Sequence, residues 1–174
     1  MFSNKALKKL ILPLIIEQIL IMAVGVADTV MVSYAGEVAI SGVGLVDMFN
    51  NLIITVLAAI DAGGAIIVSQ YIGNKDRKNA NKASSQLLTI TIVIATVIML
   101  GCLVFHRILL STFFGAIEMD VMKAATTYFL ISAISFPFLG VYNSAAALYR
   151  SMEKTRTTMY VSILMNIINV VGNY

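Results

Sequence analysis

Residues 10–34 have the sequence LILPLIIEQILIMAVGVADTVMVSY, a long apolar run that contains two acidic residues, Glu17 and Asp28, and no basic residue. A hydrocarbon core about 30 Å thick is crossed by about 20 helical residues, so this stretch is long enough to span a membrane as a helix. It extends well beyond the apolar core of a signal peptide and carries polar residues, which favours a retained first helix.

The rest of the chain repeats this pattern. Of the 174 residues, 59% are hydrophobic and 12% are charged, whereas soluble domains carry about 25% charged residues. The apolar runs lack the two-residue alternation that a membrane β-barrel requires. We therefore predict an all-α integral membrane protein, a polytopic helical bundle of about five transmembrane helices. The predicted helices cover residues 10–34, 43–72, 87–105, 124–148 and 159–174, and we expect the last to be truncated within the helix.

The basic residues indicate an orientation. Most of the 12 lysines and arginines lie near the N-terminus, in residues 73–83 or in residues 150–156. These three regions fall on the same side of the predicted bundle, and loops rich in Lys and Arg remain in the cytoplasm. We therefore predict a multi-pass protein of the bacterial plasma membrane with a cytoplasmic N-terminus. The same placement explains the net charge of +3 without a nucleic-acid partner.

Acidic residues inside the predicted spans are the main functional signal. They are Glu17 and Asp28 in the first helix and Asp47 and Asp61 in the second. A carboxylate at the bilayer centre costs about 2.5–3.5 kcal/mol on insertion scales, so such residues are expected to face a protein interior or a watery cavity. Because neither predicted helix contains a basic residue, we expect no basic partner for these acids.

Amides accompany the acids. In the second helix Asn50 and Asn51 share a stripe with the two aspartates, and in the fifth helix Asn169 and Asn173 continue a stripe of amides. One interpretation is hydrogen bonding between packed helices, and for the amides alone we favour it. Together with a carboxylate such as Asp28, however, amide oxygens suit a hard cation such as Na⁺. We predict H⁺ or Na⁺ as a coupling ion and no other cofactor or metal.

Other residues suggest a solute cavity and moving helices. Carboxylates such as Glu17 and Asp61, beside aromatic faces such as those of Tyr142 or Phe138, could hold a lipophilic cation. Pro13 and Pro137 lie inside predicted helices, where each removes one hydrogen bond. Each proline is a candidate hinge or a static kink.

The ordered motifs resemble the multidrug and toxic compound extrusion (MATE) family. They are Pro13-Leu-Ile-Ile-Glu17-Gln18, the segment VADTVMVS around Asp28, SGVGL at residues 41–45, SQYIG at residues 69–73, the basic loop that follows, and Asn169 with Asn173. The resemblance runs along the whole chain.

The resemblance implies twelve helices in two six-helix lobes and export of small organic solutes in exchange for H⁺ or Na⁺. Residues 1–174 would form most of the first lobe, and the second lobe would be the missing partner. Asp28 matches the acid that the family uses for ion coupling, Pro13 matches a proline linked to its protonation, and Asn169 matches a nearby amide. Some relatives carry Asp where this chain has Asn173, which cannot titrate, so a scheme with two acids would need Glu17 or Asp61.

Three other functions remain open. A lipid-linked precursor flippase of the same superfamily would be expected to line its cavity with Arg and Lys. An intramembrane aspartyl protease needs two aspartates on facing helices, which Asp28 and Asp61 could imitate, although the Gly-x-Gly-Asp context is missing. A passive channel or an assembly subunit would also be helical. A transporter rather than an enzyme is our prediction.

Overall fold

The structure, a computed structural model, describes residues 4–172, and every secondary-structure element within this range is an α-helix. The helices are α1 (Asn4–Ser33), α2 (Glu37–Gly73), α3 (Arg77–Phe114), α4 (Met119–Ser151) and α5 (Thr155–Gly172). The first four are long and apolar enough to cross a membrane. The predicted fold class is thus confirmed.

The helices extend beyond the apolar runs that predicted them. α2 begins at Glu37 rather than at residue 43, and α3 covers Arg77–Phe114 rather than residues 87–105. Hydropathy marks only the part of a helix suited to lipid, whereas backbone hydrogen bonding continues into polar ends. At the start of α3 the carboxylate of Asp76 accepts a hydrogen bond from the backbone N–H of Asn79 at 3.1 Å, as an N-cap does.

Helices α2, α3 and α4 pack closely around a shared apolar core. Phe49 of α2 meets Phe129 of α4 edge to face, with ring centroids 5.1 Å apart. Helix α2 approaches α4 closely at Gly42, where an added Cβ would lie 2.9 Å from the backbone nitrogen of Ala125. Fully or nearly buried core residues are Val46, Cys102, Leu110, Ala125, Phe129, Ala133 and Phe136.

Helix α1 packs mainly against α5, and each makes fewer contacts with the α2–α4 group. Many large apolar side chains on the outside are exposed, including Met22 and Val26 at 66% each. Such surfaces are unusual for a soluble monomer and suit contact with lipid. The junction between the α1–α5 pair and the α2–α4 group is therefore looser than the packing within the α2–α4 group.

Two short turns connect the helices at one end of the bundle. After α2, the backbone N–H of Asp76 bonds to the carbonyl of Tyr71 and that of Lys75 to Ile72; after α4, Lys154 bonds to Tyr149 and Glu153 to Arg150. This is the Schellman arrangement, with Lys75 and Glu153 at the left-handed position. Both turns reverse the chain within three residues, so α3 and α5 return beside the helices before them.

The two predicted hinges lie within uninterrupted helices. Pro13 is buried in α1, and Pro137 is partly buried in α4. Their role in bending stays a prediction.

Candidate functional site

A cavity of about 690 Å³ lies between α1, α2, α4 and α5. We call it the Asp28 cavity. Asp28 comes from α1, Asp47 from α2, Tyr128 from α4 and Asn169 from α5, and all four side chains are partly buried. The other lining residues are Gly25, Thr29, Met31, Val32, Ala35, Ile40, Val43 and Gly44. The cavity thus combines two acids, an amide and a phenol with an apolar wall.

Asp47 and Tyr128 fix one side of this cavity. The hydroxyl of Tyr128 donates a hydrogen bond to the carboxylate of Asp47 at 3.0 Å, which links α2 to α4. Asp28 and Asn169 also line this cavity, one from α1 and the other from α5, and these two helices pack against each other. The acid and the amide predicted to act together therefore border one space.

Asp61 belongs to a second cavity, of about 300 Å³, which we call the Asp61 cavity. Its side chain is 2% exposed. One carboxylate oxygen, Oδ1, accepts hydrogen bonds from Thr91 Oγ1 of α3 at 2.7 Å and from Ser144 Oγ of α4 at 2.5 Å. The cavity is also lined by Ala58, Ala62, Ala65, Ile66, Ser69, Asn143, Ala147, Arg150 and Ser151.

Glu17 does not have the surroundings that the sequence predicts. Its Oε1 lies 3.1 Å from Nη1 of Arg150, and its Oε2 accepts a hydrogen bond from the hydroxyl of Thr158 at 2.7 Å. The expectation that no basic side chain neutralises the membrane acids is therefore wrong for Glu17. The charge pattern predicts that Arg150 belongs to a cytoplasmic loop, whereas it lies in the last turn of α4 and its long side chain reaches α1.

Three other predicted cavity residues lie outside the lining of both cavities. Asn50 is partly buried, and its Oδ1 has no hydrogen-bond partner among the described residues. Asn51 is exposed. The hydroxyl of Tyr142 lies 3.1 Å from that of Ser162 and connects α4 to α5. Asn173 lies outside the described residues.

The partners of the acids are not evident from the sequence. The side chains that contact a membrane carboxylate are those of Tyr128, Thr91, Ser144, Thr158 and Arg150. A hydroxyl at these positions carries no distinctive signal, because most Ser and Thr side chains here bond to a carbonyl of their own helix, as Thr89 does to Ser85. The charge of Arg150 was the one detectable signal.

Comparison with known proteins assigns the chain to a family. A family model for MatE matches residues 13–174. The chain belongs to the MatE family. The sequence-based resemblance is thereby confirmed.

Curated MatE relatives match nearly the whole of this chain. It is 28% identical to the uncharacterized transporter YisQ of Bacillus subtilis, over 99% of this chain and 40% of that protein. It is 29% identical to the probable multidrug resistance protein NorM of Thermotoga maritima, over 98% of this chain and 36% of that protein. The chain therefore spans less than half the length of these relatives.

Two solved structures share the fold. One is a MOP superfamily transporter from Pyrococcus furiosus, and the other is a multidrug resistance MATE family transporter of the same superfamily in an outward-facing conformation. Each has a TM-score of 0.90 over 97% of this chain and 37% of its own, at 21% identity. The likeness establishes the helical architecture of this MatE chain.

Proposed function

We propose that this chain is part of a multidrug exporter in which outward movement of small organic molecules is coupled to inward flow of H⁺ or Na⁺. The observation that carries the proposal is the Asp28 cavity, where Asp28, Asp47, Tyr128 and Asn169 come from four different helices to line one space. Probable multidrug resistance proteins among the relatives support the same function.

Asp28 is the proposed coupling group. It lies on α1, which packs mainly against α5 rather than the α2–α4 group, so a change at Asp28 can alter how the two groups meet. Its carboxylate can take up H⁺, or it can bind Na⁺ together with the amide oxygen of Asn169, since hard cations prefer oxygen ligands. An ion that binds one arrangement of the helices more tightly shifts the population toward it.

The proposed substrates are lipophilic cations. A cavity of about 690 Å³ falls within the range of small-molecule pockets, which is about 300–1,000 Å³. Its apolar wall would take the body of the solute, and the carboxylates of Asp28 and Asp47 would attract its charge. The phenol ring of Tyr128 offers a face for a cation–π contact. Competition between solute and coupling ion for the same carboxylates would link the two flows.

The charge of the cavity favours a drug exporter over the other predicted functions. Two acids and no basic residue are among the described residues that line the Asp28 cavity, which does not suit the anionic head group of a lipid-linked precursor. A protease needs its two aspartates in one site, whereas Asp28 and Asp61 line separate cavities. A passive channel would move the solute without coupling it to an ion gradient.

The proposed location is the bacterial plasma membrane, with the N-terminus and the turns at residues 74–76 and 152–154 in the cytoplasm. Bacterial relatives support this location, and the basic residues near these turns support the orientation. In this arrangement the chain works together with the remainder of the longer protein.

The test is efflux by the full-length protein reconstituted in liposomes. A fluorescent lipophilic cation such as ethidium is loaded, and a pH gradient or a Na⁺ gradient is imposed separately. Asp28→Asn should reduce gradient-driven efflux to that of protein-free liposomes, because an amide neither exchanges a proton nor supplies a charged ligand for Na⁺. The amount of inserted protein should stay unchanged.

Asp120→Asn is the matched control, because it makes the same chemical change at an exposed acid in the first turn of α4. It should leave efflux unaltered. Unchanged efflux in Asp28→Asn would exclude the coupling role of this acid. An efflux rate that is the same with and without either gradient would indicate a channel.

A further inference from the structure

Among the described residues, hydrogen-bond donors reach only one of the two oxygens of the Asp61 carboxylate. Thr91 and Ser144 both donate to Oδ1, whereas Oδ2 has no hydrogen-bond partner among the described residues and is closed off from bulk solvent. A buried carboxylate oxygen without a partner is costly, and each such atom in a folded protein requires an explanation. Asp61 also lies inside a helix long and apolar enough to cross a membrane, where a charge is costlier still.

The residues that line the Asp61 cavity include further side chains that carry oxygen atoms. These residues are Asn143, Ser69 and Ser151, and four alanines also line the cavity. The hydroxyl oxygens of Thr91 and Ser144 keep lone pairs after donating their protons to Oδ1. Carboxylate, hydroxyl and amide oxygens are the ligands that hard metal cations prefer.

The charge balance selects a monovalent ion. Arg150 also lines this cavity, but its guanidinium is paired with Glu17 at 3.1 Å, so these two charges cancel. Asp61 then contributes a single negative charge. A divalent cation would leave an excess positive charge in the membrane interior, whereas one monovalent cation neutralises the site.

We infer that Asp61, Thr91 and Ser144 form a Na⁺ site that is separate from the Asp28 cavity. In this site Oδ2 of Asp61 is the charged ligand, the two hydroxyls hold the carboxylate in position, and the amide of Asn143 completes the oxygen set from the cavity side. The site ties α2, α3 and α4 together, whereas the Asp28 cavity includes α1 and α5. The inference goes beyond the proposed exporter function and does not require it.

The test measures equilibrium binding of ²²Na⁺ by the purified full-length protein in detergent, with K⁺ as the balancing salt. All variants carry Asp28→Asn, so that the proposed coupling site contributes no carboxylate. Saturable Na⁺ binding should remain in this background and should be lost when Asp61→Asn is added. Thr91→Val and Ser144→Ala should weaken it by about 10- to 100-fold, as is usual when groups that orient a metal ligand are removed.

Matched controls make the same chemical changes on the same helices. Thr89→Val and Ser135→Ala remove hydroxyls that bond to carbonyls of their own helix, and they should leave Na⁺ binding unchanged. If Asp61→Asn prevents folding, Thr91→Val and Ser144→Ala decide the question.

The site would be overturned by a lack of saturable Na⁺ binding in the Asp28→Asn background, by binding that Thr91→Val and Ser144→Ala leave intact, or by equal competition by K⁺. Proton uptake at Asp61 without Na⁺ binding would also overturn it. Because the measurement involves no solute movement, these outcomes are independent of whether the protein exports drugs.

Discussion

Nη1 of Arg150 lies 3.1 Å from Oε1 of Glu17, which joins the last turn of α4 to the interior of α1. The two partners differ in exposure, because the side chain of Arg150 is 40% exposed and that of Glu17 only 6%. Glu17 therefore depends on this pair more than Arg150 does. The hydroxyl of Thr158 on α5 completes the contact, so three helices meet at one carboxylate.

Removing Arg150 should destabilise the protein more than neutralising Glu17. Arg150→Met leaves a buried carboxylate with a single hydroxyl donor, and we expect a loss of about 1–3 kcal/mol, below the cost for a fully buried pair because Arg150 reaches solvent. Glu17→Gln keeps an acceptor for Thr158 and leaves a partly solvated guanidinium, so its cost should be smaller. Denaturant unfolding of the full-length protein in detergent measures both.

The double variant separates this pair from general effects of each substitution. Arg150→Met combined with Glu17→Gln should cost less than the sum of the single changes, because the second change removes the unpaired charge that the first created. Arg156→Met controls for the loss of a basic residue beside the same turn. Additive effects of the two substitutions would contradict an energetic role for the ion pair.

Gly42 should be intolerant of even one methyl group. An added Cβ would lie 2.9 Å from the backbone nitrogen of Ala125, and backbone cannot move aside as a flexible side chain can. Gly42→Ala should therefore push α2 and α4 apart and destabilise the protein by about 1–3 kcal/mol. Thermal unfolding of the full-length protein measures the loss.

The control for this prediction is Gly63→Ala on the same helix, where nothing lies within 4 Å of an added Cβ. It should be neutral or slightly stabilising, since alanine favours helix more than glycine. Equal effects at the two positions would show that the loss at Gly42 does not arise from contact with α4.

The sequence predicted the helical membrane fold because apolar length is a direct physical requirement of crossing a bilayer. It did not predict the helix ends, since α3 begins at Arg77 in a polar segment whose backbone hydrogen bonds hydropathy cannot detect. The short turn before α3 is set instead by local chemistry, with Lys75 in the left-handed region and Asp76 as cap.

Only part of the candidate site could be predicted from the sequence. The preference of hard cations for carboxylate and amide oxygens, together with the family resemblance, suggested that Asp28 and Asn169 act together, and they do line one cavity. The partners of Glu17 and Asp61 could not be found in this way, because Arg150, Thr91 and Ser144 are distant in sequence and only tertiary packing brings them together. Charge patterning placed Arg150 correctly near the turn but could not show that its side chain points back into the bundle.

The N-terminus of α3 should respond to acid through Asp76. The pKa of this carboxyl lies below its ordinary value, first because the backbone N–H of Asn79 donates to it and then because the side-chain amide of Asn79 does so at 2.6 Å. Since folding favours the ionised form, its contribution to stability is present above the ordinary Asp pKa of about 3.9 and is lost as pH falls through the lower value of the folded state. Asp76→Asn retains a cap but cannot titrate, so the difference in unfolding temperature between the parent protein and this variant should be constant near neutral pH and shrink below about pH 4. If the difference between Asp76→Asn and the parent did not change on acidification, the ionised cap would not contribute to folding.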